Sequence, residues 1–332
     1  PPITIKNQKL TENAVLYQGK SCFMCIVNEY RINMVTIKKQ TIMKNLKLTA
    51  LFLLFFALVI SGCKKDETEP IPEKETDTSE MEKLSYDEDF FMRATDDVLE
   101  DVGNFLSSET QRDMQDLPCG SVLDSTIYQN DTMYFYLTFD GLNCNQTLYR
   151  HGNAVVRTDM SAIWPQANAV VHVQLINFKV TRISDSKWMI FDGYHDYTNV
   201  SGGMLIHLGN GLESIEHHID GDVEVTFMDN TTKTWQVARA KLFTGTFPDL
   251  NLETWGYGSY GEYNDLVVWG VDRAGNQFYT QITLPVERRK DCFWKPSAGI
   301  KVYNLPDINT TLTLTYGFDE NNNPIQPGDC GK

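Results

Sequence analysis

The sequence predicts an all-β fold, mainly antiparallel and shaped as a sandwich or an open barrel, with one N-terminal amphipathic helix. Three observations point there. From about residue 121 apolar and polar residues alternate with the period of two that a half-buried strand requires. Short polar turns punctuate those segments, which favours hairpins over helix-linked parallel strands. Only one stretch carries the helical period of 3.6.

That stretch is the helix expected over 86–107. Phe91, Thr95, Val98, Val102 and Phe105 recur at spacings of 4, 3, 4 and 3, which makes one stripe suited to docking on a sheet. Ser85-Tyr86-Asp87-Glu88 reads as a capping box, and Asp87, Glu88 and Asp89 suit the positive end of the helix dipole. In the strands that follow, Met133, Phe135, Leu137 and Phe139 alternate with Tyr134, Tyr136 and Thr138. Further strands are expected at 148–159, 168–183, 187–193, 221–228, 233–243, 265–271, 277–284 and 309–316. Asp140-Gly141, Ser184-Asp185-Ser186, Asp229-Asn230-Thr231 and Ala274-Gly275-Asn276 are the turn signals between them. No Pro/Gly/Ser-rich linker interrupts 85–332, so one β-rich domain is expected there.

Upstream, Met43 to Pro70 reads as a delivery signal. Lys44 and Lys47 precede an apolar run from Leu48 to Ile60, about 13 residues long. Such a run is the size of a signal-peptide core and too short to span a bilayer, which takes roughly 20. Ile60-Ser61-Gly62-Cys63 resembles the lipobox of bacterial lipoproteins, which implies a signal peptide over 43–62 and a lipid on Cys63. Residues 63–84, beginning Lys64-Lys65-Asp66-Glu67, have little apolar content and read as a disordered acidic tether. A charged stretch after the cysteine is similar to surface-export signals of Bacteroidota lipoproteins, so an outward-facing outer-membrane location is expected. Residues 1–42 fit none of this and are read as an upstream extension. Their Cys22-Phe23-Met24-Cys25 is a lone CxxC with no second pair or βαβ context.

Charge supports this division. The chain has 29 basic and 44 acidic residues, and residues 1–62 contain eight of the first and two of the second. The remainder therefore carries a net charge of −21, which argues against nucleic acid as a partner.

Phe139-Asp140-Gly141-Leu142-Asn143-Cys144 and Arg150-His151-Gly152-Asn153-Ala154-Val155-Val156 resemble a strand–turn–strand segment of Bacteroidota surface lipoproteins. The likeness extends to Cys292-Phe293-Trp294-Lys295-Pro296 and Gly328-Asp329-Cys330. That family brings no assigned activity, so the resemblance implies location and β architecture.

Four cysteines remain after Cys63: Cys119, Cys144, Cys292 and Cys330. An even count in an exported chain suggests disulfides, with three connectivities open. Cys119–Cys144 with Cys292–Cys330 is the expected pairing, because each pair flanks neighbouring strands. A metal site or a reactive thiol is the alternative.

Candidate chemistry is sparse. Gly256-Tyr257-Gly258-Ser259-Tyr260-Gly261 matches GxGxxG, but no helical pattern follows, so it reads as a mobile aromatic loop rather than a pyrophosphate cradle. Histidines and acids recur at His195-Asp196, His207, His217-His218 and Asp220. On a strand His217 and His218 face opposite sides, whereas His218 and Asp220 share one. HExxH, GxSxG and P-loop patterns do not occur, and Ser201 lacks a nucleophile-elbow context. No cofactor or metal is expected. Trp255, Tyr257, Tyr260 and Tyr263, with Trp269 nearby, form the remaining cluster. Exposed, such rings stack on sugars; buried, they are core. Two function classes follow. One is a lipid-anchored envelope protein with a non-enzymatic binding or structural role, its partner a glycan or an envelope protein. The other is a surface glycan-active hydrolase or carbohydrate-binding module.

Overall fold

The computed structural model describes residues 79–107 and 117–330, apart from 247–248, 293, 320–322 and 327–328. Its elements are a helix α1 (Ser79–Ser107) and thirteen strands. The first seven are β1 (Ser121–Gln129), β2 (Thr132–Leu142), β3 (Leu148–Asp159), β4 (Ala169–Arg182), β5 (Trp188–Asn199), β6 (Ser214–Phe227) and β7 (Thr232–Thr246). The rest are β8 (Asp249–Gly256), β9 (Gly258–Tyr260), β10 (Tyr263–Val271), β11 (Gln277–Arg289), β12 (Pro296–Leu305) and β13 (Thr310–Tyr316). All thirteen join one barrel-like sheet in which every strand pairing is antiparallel. The main path runs β1 through β7 and then β10 to β13, while β8 pairs with β7 and β11, and β9 with β10.

The sheet curls around α1. Phe91 meets Phe191 of β5 and Trp235 of β7 edge-on, at centroid distances of 5.6 and 5.1 Å. One helix face later, Phe105 meets Phe135 of β2 at 5.1 Å. Seven of the nine residues from Asp87 to Thr95 are buried, so over that span the solvent side of the helix narrows to Asp89 and Arg93, four apart and paired with each other. This corrects the single amphipathic stripe expected from sequence: Phe91, Thr95, Val98, Val102 and Phe105 are all buried, but so are the flanks. The enclosure of α1 by strands on several sides is the reason.

Curvature needs places where backbones come close. Gly152 sits at a bulge between β3 and β4 with φ at +133°. A Cβ there would lie 2.8 Å from Phe178 Cα, so only glycine lets the two strands meet.

The helix also starts earlier than expected, at Ser79 rather than 86. Met81 and Leu84 are buried and hold the added turns to the core. Ser85 is therefore interior, its hydroxyl donating to the Glu82 carbonyl, and Glu88 serves a partner across the core instead of a capping box. Glu80 and Glu82 occupy the first turn in place of Asp87, Glu88 and Asp89. Residues 79–84 of the expected tether are thus helical, while 63–78 lie outside the described residues.

Most strands fall where alternation placed them. β5 and β11 run on past the expected ends to Asn199 and Arg289, and β6 begins earlier, at Ser214. β8 and β12 were not expected as strands.

Candidate functional site

Acidic residues project from α1 on several sides, and the surrounding wall answers them with cations. Arg150 of β3 donates to Asp97 at 3.0 Å and to Asp101 at 2.8 Å. Arg239 of β7 reaches Asp96 at 2.6 Å and the Thr95 hydroxyl at 3.1 Å. Lys241 pairs with Glu100, and Lys301 of β12 pairs with Glu88, which also accepts from Tyr303 at 3.0 Å. Arg273, in the turn between β10 and β11, reaches Asp87 at 2.6 Å. Arg150, Arg239, Lys241 and Lys301 are buried, as are Asp87 and Glu88, while Asp96, Asp97, Glu100 and Asp101 are half-buried, and burial disfavours the charged forms. Desolvation outweighs Arg273 at Asp87 and Arg150 at Asp97, leaving both carboxyls raised to about 6. At Asp96 burial also works upward, but Arg239 and Lys241 together hold its carboxyl below the ordinary range. Five cations inside the wall answer six carboxylates, with Arg150 serving both Asp97 and Asp101, so the collar fixes the rotation and height of α1.

The segment that carries the lipoprotein resemblance belongs to this collar. Asn143 Nδ2 donates to Asp97 at 2.8 Å, and its Oδ1 accepts the Thr147 and Leu148 amides at 2.9 and 3.0 Å. Beside it Cys144 is bonded to Cys119, with Cα atoms 5.1 Å apart, and the Cys119 carbonyl accepts from Arg150. Cys292 and Cys330 form the second bridge, with Cα atoms 5.3 Å apart. Both expected pairings are thus present, at separations ordinary for disulfides.

The aromatic cluster is not a mobile loop. Residues 256–261 sit in a strand–turn–strand unit of β8, β9 and β10. The GxGxxG glycines serve close packing there: a Cβ on Gly258 would lie 2.7 Å from the Trp269 ring, and one on Gly256 would meet the Asp265 and Leu266 backbone. Trp255 is half-buried against Val267, Ile282 and Val286, and Trp269 is half-buried as well. The tyrosines do project outward. Tyr260, 57% exposed, and Tyr263 both stack on Tyr279, at 5.7 and 4.2 Å. Tyr257 stacks on His218 at 4.7 Å and donates to Asp220 at 2.7 Å. His218 in turn holds Glu216 at 2.7 Å. His218 and Asp220 do share the outer face of β6, as the period of two required, while His217 points inward. Tyr279 and Glu216 went unread, although the outward alternation of β6 and β11 was the signal that could have found them.

The other histidines separate. His195 is fully buried, with no hydrogen bond to either ring nitrogen. Burial, helped by Arg239, lowers its pKa to about 3. Asp196, on the opposite face, accepts from His172 at 2.5 Å. His207 is exposed, at the end of a single helical turn (Leu205–His207) outside the strands. The Ser201 hydroxyl oxygen accepts the Glu216 amide at 2.9 Å, a structural task. Cys63 and the Cys22–Cys25 pair lie outside the described residues. Among the described residues no group of three or more His, Cys, Asp or Glu has the geometry of a metal site.

The described surface has a recess at β8 and the end of β11 and another beside α1. Asp249, Leu250, Asn251, Arg289 and Asp291 line the first. The second lies beside the C-terminal turns of α1, between Glu100, Asn104 and Ser107 on the helix and Trp164, Tyr197 and His217 on the wall. No family model matches this chain, and neither a curated protein nor a solved structure is significantly similar to it.

Proposed function

We propose that this chain is a cell-envelope lipoprotein, lipid-anchored at Cys63 on the outer-membrane surface, that works by binding rather than by catalysis. The observation that carries the reading is the filling of the barrel by α1. Its aromatic and charged side chains occupy the space where a calyx would hold a ligand, so recognition is left to the outer wall. That wall carries charge across neighbouring strands: Arg157, His172, Asp196 and Asp220 lie side by side on β3 to β6. Such a row suits water rather than lipid, which fits a domain held near the membrane by a tether.

On the same wall, the tyrosines at 257, 260 and 263 are the contact surface, and their partner is a glycan or an envelope protein. Rings with hydrated polar tips favour the carbohydrate-binding form of this reading. A hydrolase is less well supported. Asp249 and Asp291 share an open recess, but Arg289 holds Asp291 through two hydrogen bonds and keeps its carboxyl below the ordinary range. A glycosidase acid needs the opposite shift.

Two measurements test the proposal. Membrane fractionation of Cys63→Ser should move the protein from the membrane to the soluble fraction; retention in the membrane would sink the anchor. A glycan array with the full chain and with Tyr260→Ala should show binding that the variant loses. Wild-type binding that survives in the variant would remove the tyrosine surface from the reading.

A further inference from the structure

Five hairpin tips gather at one end of the sheet: those joining β2 to β3, β4 to β5, β6 to β7, β10 to β11 and β12 to β13. They make one continuous rim. The Ile183 amide donates to the Thr147 carbonyl at 2.9 Å, and Met189 lies opposite Phe227. Arg273 reaches Asp229 at 3.7 Å, and the Gln277 amide donates to Asp307 at 2.7 Å. Turns are normally polar, because a hairpin tip has nothing to pack on. Four of these five nevertheless carry a large aliphatic side chain, Leu142, Ile183, Met228 and Ile308, each 40–50% exposed. The charges of the rim cancel: Arg182, Lys187, Lys233 and Arg273 stand against Asp185, Asp229, Asp272 and Asp307. Elsewhere the chain after residue 62 is strongly acidic. Two rings at the rim sit under cations, Tyr86 with Lys187 at 4.0 Å and Trp188 with Lys179 at 4.5 Å. Rings with one apolar and one polar end settle at the level of lipid headgroups, as do long cationic side chains.

We infer that this rim is the face the domain lays on the membrane, its aliphatic tips entering the headgroup layer and its lysines and arginines meeting phosphates there. The inference rests on the lipid-anchor reading, and the course of the chain says which end faces the lipid. The Tyr86 hydroxyl donates to Asp185 at 2.6 Å and Arg273 holds Asp87, so α1 passes the rim early. Ser79 lies only about 10 Å of helix before Tyr86. Sixteen residues separate Cys63 from Ser79, and a coil of that length averages about 22 Å end to end. The opposite end of the sheet also exposes Met160, Ile163 and Ile206, but β4, 14 residues long, sets the two ends about 45 Å apart. Four partly exposed side chains hold a protein on a bilayer only together with a second signal, so the rim orients a domain that the lipid retains. Contact there leaves the outer wall open to its partner.

The test uses the full chain with Cys63→Ser and a histidine tag inserted beside that position. It is held on vesicles of phosphatidylethanolamine, phosphatidylglycerol and nickel-chelating lipid. The tag supplies the attachment, so failure of the lipid anchor shows only in the fractionation of Cys63→Ser, and failure of the rim only here. Tryptophan is placed at the rim by Ile183→Trp or Met228→Trp, and at the far end by Ile163→Trp. Emission beyond that of the six native tryptophans is compared with and without bromine on the lipid acyl chains. The emission added at the rim should shift to the blue and be largely quenched by bromine, while that added by Ile163→Trp should stay unchanged. Ile308→Asp combined with Met228→Trp should weaken the quenching. Rim emission that bromine leaves intact would overturn the inference, as would quenching of Ile163→Trp as strong as that at the rim.

Discussion

Glu88 illustrates how single residues hold this molecule. Its carboxylate is fully enclosed and answers both Lys301 and Tyr303 of β12. Removing one partner leaves a buried charge uncompensated, which costs about 3–5 kcal/mol, whereas removing both charges can be nearly neutral. Lys301→Met should therefore lower unfolding stability in urea by that amount. Glu88→Leu with Lys301→Met should recover about 2 kcal/mol of it, short of full recovery because the Tyr303 hydroxyl loses its acceptor. A double variant no more stable than Lys301→Met would contradict this account of the collar. At this scale the sequence is least legible. Arg150, Arg239, Lys241 and Lys301 sit on strands whose alternation gives no hint that a cation faces inward, because their carboxylate partners lie at least 49 positions away in the chain.

Elements were read well where burial followed hydrophobicity. β2 buries Met133, Phe135, Leu137 and Phe139 and leaves Tyr134, Tyr136 and Thr138 half-buried on the other face, as the pattern required. β12 shows why the reading stops. Its inward residues are Ser297, Gly299, Lys301, Tyr303 and Leu305, while Ala298, Ile300 and Val302 lie on the other side. The apolar set is thus on the less buried face, because the core beneath β12 contains the Glu88 carboxylate. The helix failed in the same way: a capping-box pattern describes a local start, and Glu88 was already taken by a strand. Covalent links also act between elements. Cys119–Cys144 closes 25 residues and Cys292–Cys330 closes 38, so chain entropy assigns them about 3.5 and 4 kcal/mol. Cys119→Ser with Cys144→Ser should cost the larger share in practice, since that bridge adjoins Arg150 and Asn143 and its loss loosens the collar. Urea midpoints of the two double variants would decide the order.

For the whole molecule, the collar and the buried histidines give opposite pH dependences. Asp87 and Asp97 have folded pKa values near 6 against an ordinary 3.8, so the folded state holds protons that the unfolded state has lost between these values. They add stability as pH falls from about 6 to 4, and withdraw it as pH rises through 6. His195 and His217, near 3 against an ordinary 6.5, do the reverse: the unfolded state takes protons first, and stability is lost as pH falls below 6.5. Of these four groups two pull each way, each by about 1.4 kcal/mol per pH unit within its window, and Asp101, raised by burial, adds to the acid side. Stability should therefore change little between pH 6 and 4 and drop below 4, where the histidines still titrate and Asp96, held below the ordinary range by Arg239 and Lys241, begins to take a proton. His195→Leu should tilt the profile so that stability rises from pH 6 to 4. Urea unfolding at a series of pH values reads this directly, and a parallel profile in the variant would exclude His195 as a contributor.

What the sequence determined by itself was local: the period of two that makes strands, the turns that make them antiparallel hairpins, the one helical stretch, and the shared face of His218 and Asp220. The cysteine pairing was an expectation among three connectivities, and the structure shows Cys119–Cys144 and Cys292–Cys330. Only the tertiary structure decided that the sheet curls around the helix, that five cations on the wall face six acids on α1, and that Trp164, Tyr197 and His217 meet beside Glu100. Strand and turn preferences are set by neighbours one to four residues apart. Enclosure is set by contacts between residues tens to hundreds of positions apart, and a carboxylate such as Glu88 looks the same in sequence whether water or a buried lysine stands beside it.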